Sequence, residues 1–242
     1  MLQAVLDVED VLRTVDRDGR ESAEGSANPA DVAAHKHLVS SAAAVAVRAI
    51  SEEDAEPGEG RPLASGLRVY VDPVDGSRNW ETGSGPFGPS VCLLDSAGPL
   101  WSAVYDIGAG RLVTAERGRG VTTRSTLPQH DVERRPPVVL GGPSWAPPEP
   151  GLRHAVNGAT AHDLCALALG ECEIYLDTTN TVRPWDYLGG LLVLWEAGGY
   201  CADLDGRVLV PAAEERFTRR LVALSPAMTA AVRTSSTGRA ST

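Results

Sequence analysis

The chain has 242 residues, 43% of them apolar, and a formal net charge of −10. That length and apolar content allow one domain or two fused lobes around a sizeable core. The acidic balance argues against binding a nucleic-acid polymer, which selects basic stripes, and favours partnership with cations. No apolar run approaches the roughly 18–20 residues of a membrane span, so no membrane association is expected. The N-terminal MLQAVLDVEDVLRTVDRDGR carries acids early and no basic region, which is not the pattern of a secretory leader. Cys92, Cys165, Cys172 and Cys201 form no C-x-x-C pair and sit in apolar settings, the pattern of reduced core thiols in a cytoplasmic protein.

In chain order, LQAVLDVEDVLRTVD (residues 2–16) spaces its apolar residues for a helix, and residues 17–29 read as a loop. The alanine-rich stretch from Asp31 to Ala49 predicts a second helix, running into Ile50 and the acids Glu52, Glu53 and Asp54. Residues 55–66 are a Gly/Pro-rich linker. Strands are predicted at Val69–Val71, Ser90–Leu94, Leu100–Asp106 and Arg111–Ala115, an antiparallel meander. Residues 123–150 hold seven prolines and place a lobe boundary or excursion there, with an apolar run only at Val138–Leu140. A helix over Thr160–Leu169, a strand over Glu173–Leu176 and an apolar helix over Tyr187–Ala197 follow, the last stopped by Gly198-Gly199. Strands near Tyr200–Ala202 and Leu221–Ser225 complete the fold, and Arg233–Thr242 is expected to fray. Strands and helices alternate without a steady βαβ rhythm, so the class is mixed α and β. Two lobes are expected, residues 1–122 and a shortened 123–242, forming one compact unit.

Chemistry concentrates in VYVDPVDGSRNWE, residues 69–81. Asp-Pro and Asp-Gly are turn dipeptides, so a plain polar turn is one reading. Pro73, however, biases Asp72 toward extended backbone, and the segment gathers hard oxygen ligands of the kind Mg²⁺ takes. Gly76-Ser77 adds a close backbone approach and a hydroxyl for an anion, and a helix starting there would add its positive end. Glu52-Glu53-Asp54 is either a solvated acidic run or a third ligand source. Asp186, after Trp185 and before the apolar helix, is either an N-cap or a side chain pointing into a site. Acids at the ends of regular elements in three separated segments exceed what turn chemistry usually yields.

With these residues in place, the sequence resembles the inositol monophosphatase superfamily of Mg²⁺-dependent phosphatases. The family signature D-P-[IL]-D-G-[ST] stands as Asp72-Pro73-Val74-Asp75-Gly76-Ser77, followed by Asn79-Trp80. The second signature, W-D-x-x-[AG]-x₆-E-A-G-G, stands as Trp185-Asp186-Tyr187-Leu188-Gly189 through Glu196-Ala197-Gly198-Gly199. Glu52-Glu53 matches the upstream acidic pair, and Asn28-Pro29-Ala30-Asp31 resembles an x-T-x-A-D element with proline in place of threonine. VYDIGAGRLVTAERGRG resembles the strand pair and E-x-G-x-G turn, and Gly158-Ala159-Thr160-Ala161 a G-[ST]-A-A helix start. The resemblance spans about residues 25–120 and 155–225.

It implies a layered α/β/α/β/α sandwich of the inositol monophosphatase/fructose-1,6-bisphosphatase type, usually a homodimer. It also implies a phosphomonoesterase acting on a small phosphate ester with two or three Mg²⁺. Carried across, Glu52, Asp72, Asp75, Asp186 and the Val74 carbonyl would hold metal. Asp31 and Ser77, with Glu52, would orient and deprotonate the attacking water. Gly76 and Ser77 N–H groups would hold phosphate oxygens, and Thr160, Arg183 and Asp186 would contact substrate. Thr178–Arg183 and His162-Asp163 are the expected readers of the ester's other half. Ser51-Glu52-Glu53-Asp54, with Ala33-Ala34-His35, resembles the 3′(2′),5′-bisphosphate nucleotidase branch, whereas GATAHDLC resembles the inositol monophosphatase branch. The short, proline-rich stretch between Gly120 and Gly158 suggests a trimmed second lobe and a more open pocket. The competing readings are a catalytically silent member acting as a binding or regulatory protein, and a Ca²⁺-stabilised structural module.

Overall fold

The structure is a computed structural model, and it describes residues 1–15, 28–44, 48–54, 66–125, 138–141, 153–212 and 217–237. Residues 17–27 of the expected loop, 55–65 of the expected linker and most of the proline-rich stretch fall outside these residues, and Pro29, expected in the loop, instead begins the second helix.

Helices α1 (Leu2–Arg13) and α2 (Pro29–Ala44) open the chain. Strands β1 (Arg48–Ser51) and β2 (Arg68–Asp75) lead to the short helix α3 (Ser77–Thr82). Strands β3 (Gly88–Asp95), β4 (Gly98–Asp106), β5 (Arg111–Glu116) and β6 (Gly120–Ser125) form the meander. β7 (Val138–Gly141) and β8 (Arg153–Ala155) precede α4 (Thr160–Ala168), β9 (Ile174–Val182) and α5 (Pro184–Glu196). The chain closes with β10 (Tyr200–Asp203), β11 (Arg219–Leu224) and α6 (Pro226–Thr237).

The strands form a six-stranded sheet, β1-β2-β3-β4-β5-β6, and a five-stranded sheet, β10-β11-β9-β7-β8. α1 and α2 cover one face of the first sheet, α4 and α5 fill the space between the sheets, and α6 packs on β11. This is the α/β/α/β/α layering expected from the sequence. The middle layer explains the character of α5. Leu188, Leu191 and Leu194 enter one apolar cluster with residues of both sheets, while Leu192 and Val193 enter another with Val104 and Val113. A helix covered on both sides needs no polar stripe, which is why its sequence is apolar all round.

Three expectations are corrected. The second helix stops at Ala44 rather than Ala49, because Arg48–Ser51 pairs in parallel with Arg68–Val71. β6 extends the meander by one unexpected strand. Residues from Arg233 to Thr237 continue α6 rather than fraying. All four cysteines are buried free thiols, as expected. Among the described residues no helix is long and apolar enough to cross a membrane.

Candidate active site

β2 is longer than its apolar run and carries both aspartates within it. In a regular strand, residues three apart point to opposite faces. Here the pairing with β3 shifts between Asp72, opposite Ser90, and Asp75, opposite Gly88, so β2 carries one extra residue. Packing shows the consequence. Val69 and Val71 join the cluster with α1 and α2, Tyr70 joins the cluster with α4 and α5, yet Val74 returns to the α1/α2 cluster. The alternation has slipped by one, as a bulge requires. Asp72 and Asp75 therefore share the face covered by α4 and α5. Pro73, which has no N–H to give to the ladder, sits in the slip.

The parallel register of β1 on β2 pairs Ser51 with Val71, so the next residue, Glu52, emerges beside Asp72. The turn after β1 is braced. Ser51 N–H donates to Asp54 Oδ2 at 2.8 Å, and the Ser51 hydroxyl pairs with His35 Nδ1 at 2.9 Å. From the later part of the chain, Asp186 occupies the first turn of α5 and accepts from Arg183 N–H at 2.7 Å through Oδ2. One ligand atom each from Glu52, Asp72 and Asp186 lies within 4.8 Å of the others. The sequence shows these acids in three separated segments; strand register and helix capping bring them together.

Charge accumulates at a cost that appears in the acidities. Burial first, then the charges of Glu52, Asp75, Asp186 and Asp31, hold the Asp72 carboxyl well above its ordinary range. Glu52 is exposed overall, yet desolvation by its surroundings, then the Glu53 and Asp75 charges, push it up to about 7, with the Arg183 charge acting against them. Burial raises Asp186 strongly, the Arg183 backbone bond works against it, and the Glu52 and Asp75 charges add to it. Asp31, only 6% exposed, is pushed up to about 8 by burial and by the Glu52 and Glu53 charges, with the Ser77 side chain acting in the opposite sense. Its Oδ1 is buried with no hydrogen-bond partner. Like-charged carboxylates this close, with a buried lone oxygen beside them, fit hard divalent cations.

Asn28 settles the local geometry of Asp31. Its side chain accepts from Ala30 N–H at 2.8 Å, Pro29 takes the first helical position, and Asp31 falls in the first turn of α2. Proline is favoured at that position, so its replacement of threonine leaves the helix start intact. Gly76 has φ 86°, and a Cβ there would lie 2.6 Å from the Pro86 carbonyl, so only glycine lets α3 begin at Ser77. The Ser77 hydroxyl donates to the Val74 carbonyl at 3.2 Å. Thr160 Oγ1 pairs with the Tyr175 hydroxyl at 3.1 Å. Arg183 is exposed, its guanidinium 5.5 Å from the Trp185 ring centroid, and its charge counts among the groups acting on Glu52 and Asp186.

His162 and Asp163, expected as readers of the ester, are buried, 5% and 2% exposed. Asp163 accepts from Asn157 Nδ2 at 2.6 Å, and His162 turns to Asp75. Two structural residues carry no separate role in the sequence reading. Asn79 Nδ2 donates to the carbonyls of Pro86 and Asn157, 2.7 Å each, tying two loops to α3. Glu196 accepts from Gly118 and Gly120 N–H at 2.9 Å each, which joins the second signature to the E-x-G-x-G turn. Both lie inside recognised motifs, which was the available signal.

Fold and cage together define a class, five-layer sandwiches that gather acidic side chains at strand and helix ends. The chain belongs to the inositol monophosphatase family, whose model matches residues 2–237. It is 30% identical over 166 residues to a fructose-1,6-bisphosphatase/inositol-1-monophosphatase of Thermococcus kodakarensis, covering 66% of this chain and 63% of that protein. It is 25% identical over 167 residues to the Nus factor SuhB of Xylella fastidiosa, covering 62% and 60%. The aligned stretches thus span less than two thirds of these relatives. The solved structure of the extragenic suppressor protein suhB from Bartonella henselae superposes with a TM-score of 0.71 at 25% identity, covering 96% of this chain and 94% of that one.

Proposed function

We propose that this chain is a Mg²⁺-dependent phosphomonoesterase acting on a small phosphorylated metabolite, with residues 1–122 and 123–242 working as one catalytic unit. The observation that carries the reading is the meeting of Glu52, Asp72 and Asp186 from three separate elements, one ligand atom each within 4.8 Å. The name of the Thermococcus kodakarensis relative supports the same chemistry.

Glu52, Asp72 and Asp186, with Asp75 and the Val74 carbonyl beside them, would hold the ions. Bound there, divalent cations supply positive charge to phosphoryl oxygens and lower the pKa of water in the site. The rest falls to the chain. Asp31, with a lone buried oxygen, is placed to take a proton at Oδ1. Ser77 orients that exchange from the other side. The Gly76 and Ser77 N–H groups, at the start of α3, would receive phosphate oxygens. Arg183 and the exposed end of β9, from Thr178 to Thr181, form the rim that meets the group esterified to phosphate.

Phosphate release from inositol 1-phosphate, adenosine 3′,5′-bisphosphate, fructose 1,6-bisphosphate and a sugar-phosphate panel tests the reading. Release is expected with Mg²⁺ and not with chelator. Asp75→Asn should lower kcat by about 100-fold or more while the fold is kept, since one charged contact to the reacting centre is removed. Near-normal turnover of that variant, or no Mg²⁺-dependent release from the whole panel, sinks the reading. The second outcome would leave a binding or regulatory protein.

A further inference from the structure

Asp75 is held differently from the other cage acids. Its Oδ2 accepts twice from one residue of α4: from the backbone N–H of His162 at 3.2 Å and from the His162 ring at Nδ1 at 2.9 Å. A carboxylate only accepts, so Nδ1 carries the hydrogen and donates it. Both groups are buried, with side chains 4% and 6% exposed. Two donors from one rigid helix start fix both the position and the rotation of the carboxyl group. Oδ1 is the oxygen left over. Asp75 lies close enough to Glu52, Asp72 and Asp186 for its charge to act on all three. Yet it is not one of the three that converge within 4.8 Å.

We propose that His162 is a positioning residue, which locks Asp75 so that Oδ1 alone is presented to the cage and defines a metal position beside the Glu52–Asp72–Asp186 cluster. The inference rests on the metal-dependent reading above. The position is not one that packing alone would fill with histidine. His162 stands in an α4 segment whose neighbours Ala161, Leu164 and Cys165 are core residues, and an apolar side chain would pack there without placing a ring donor on a buried carboxylate. Partners of metal-ligating groups orient them and typically change metal affinity by about 10–100-fold when removed. Gly190 supports the arrangement from behind. A Cβ on it would lie 2.4 Å from the Ala161 carbonyl, so α4 and α5 meet backbone to backbone one residue before His162.

The probe is Mn²⁺ alone, titrated into metal-free protein and followed by the paramagnetic resonance of the free ion. Three variants separate geometry from bulk. His162→Leu keeps the packing and removes the donor. His162→Asn places an amide nitrogen where Nδ1 lies, and His162→Gln places one nearer Nε2. We expect Leu and Gln to weaken Mn²⁺ binding at least tenfold and Asn to stay within about threefold of the parent. Should the Leu variant fail to fold by circular dichroism, the Asn and Gln pair decides. Binding by His162→Leu or His162→Gln as tight as the parent's overturns the proposal, as does an Asn variant as weak as Gln. Asp75→Asn in the same titration separates the two levels. If it loses affinity while the His162 variants do not, only the positioning role fails; if it also binds normally, the cage itself is misassigned.

Discussion

Asp31→Asn should change how the metal-free protein responds to pH. The unfolded chain releases the Asp31 proton near its ordinary 3.8, whereas the folded chain keeps it up to about 8. Between those values the folded state binds about one more proton than the unfolded state. Stability contributed by the protonated group is therefore complete below pH 4 and is lost as pH rises towards 8. The slope is about 1.4 kcal/mol per pH unit, or roughly 3 kcal/mol between pH 5 and pH 7. For a chain of this size that corresponds to roughly 5–10 °C in Tm. Glu52 and Asp163, each raised to about 7, act in the same direction. Glu9, Asp95, Asp203 and Asp205 are lowered, so their contributions change only near pH 4 and below, outside the window and alike in both proteins. Asparagine keeps the shape and removes the proton. Thermal unfolding in chelator should give near-equal Tm values just below pH 4, a somewhat more stable variant at pH 5 and a clearly more stable one at pH 7. Parallel Tm–pH curves for the two proteins would refute the reasoning.

Two further substitutions test the scaffold. Gly190→Ala puts a Cβ 2.4 Å from the Ala161 carbonyl and 2.8 Å from Leu164 Cβ. Overpacking outweighs the helix-propensity gain, for a net loss of about 2 kcal/mol by denaturant unfolding; an unchanged midpoint would mean that α4 and α5 separate freely. Glu196→Ala removes the acceptor of the Gly118 and Gly120 N–H groups. It should cost about 1–3 kcal/mol in thermal unfolding and leave kcat at 25 °C unaltered. A loss of turnover without a loss of stability would place Glu196 in the chemistry instead.

The chemistry was legible in the sequence because it depends on residue type at short spacing. D-P-V-D-G-S and W-D with E-A-G-G place hard oxygens, a tight glycine turn and a helix start within a few residues, and no long-range contact is needed to see them. Asp72, Asp75 and Asp186 are legible this way, Glu52 is legible as the upstream acidic pair with Glu53, and their role as a metal-holding set comes from the family resemblance; the meander is legible because its strands alternate over local distances. The helical pattern over residues 31–49 runs past the end of α2 at Ala44 for the opposite reason. Ala-rich sequence continues the helical pattern, and only pairing with β2 makes Arg48–Ser51 a strand.

What the tertiary structure decided is direction. Two aspartates three apart face the same way only because β2 takes an extra residue against β3, which is visible in Val74 crossing to the α1/α2 side. Glu52 meets Asp72 through a parallel register that no local pattern encodes. His162, read as a reader of the ester, is instead buried behind Asp75, because helix phase and the close approach of α4 to α5 turn it inward. Residue type sets which atoms are available for chemistry; register, bulge and helix packing set where those atoms point.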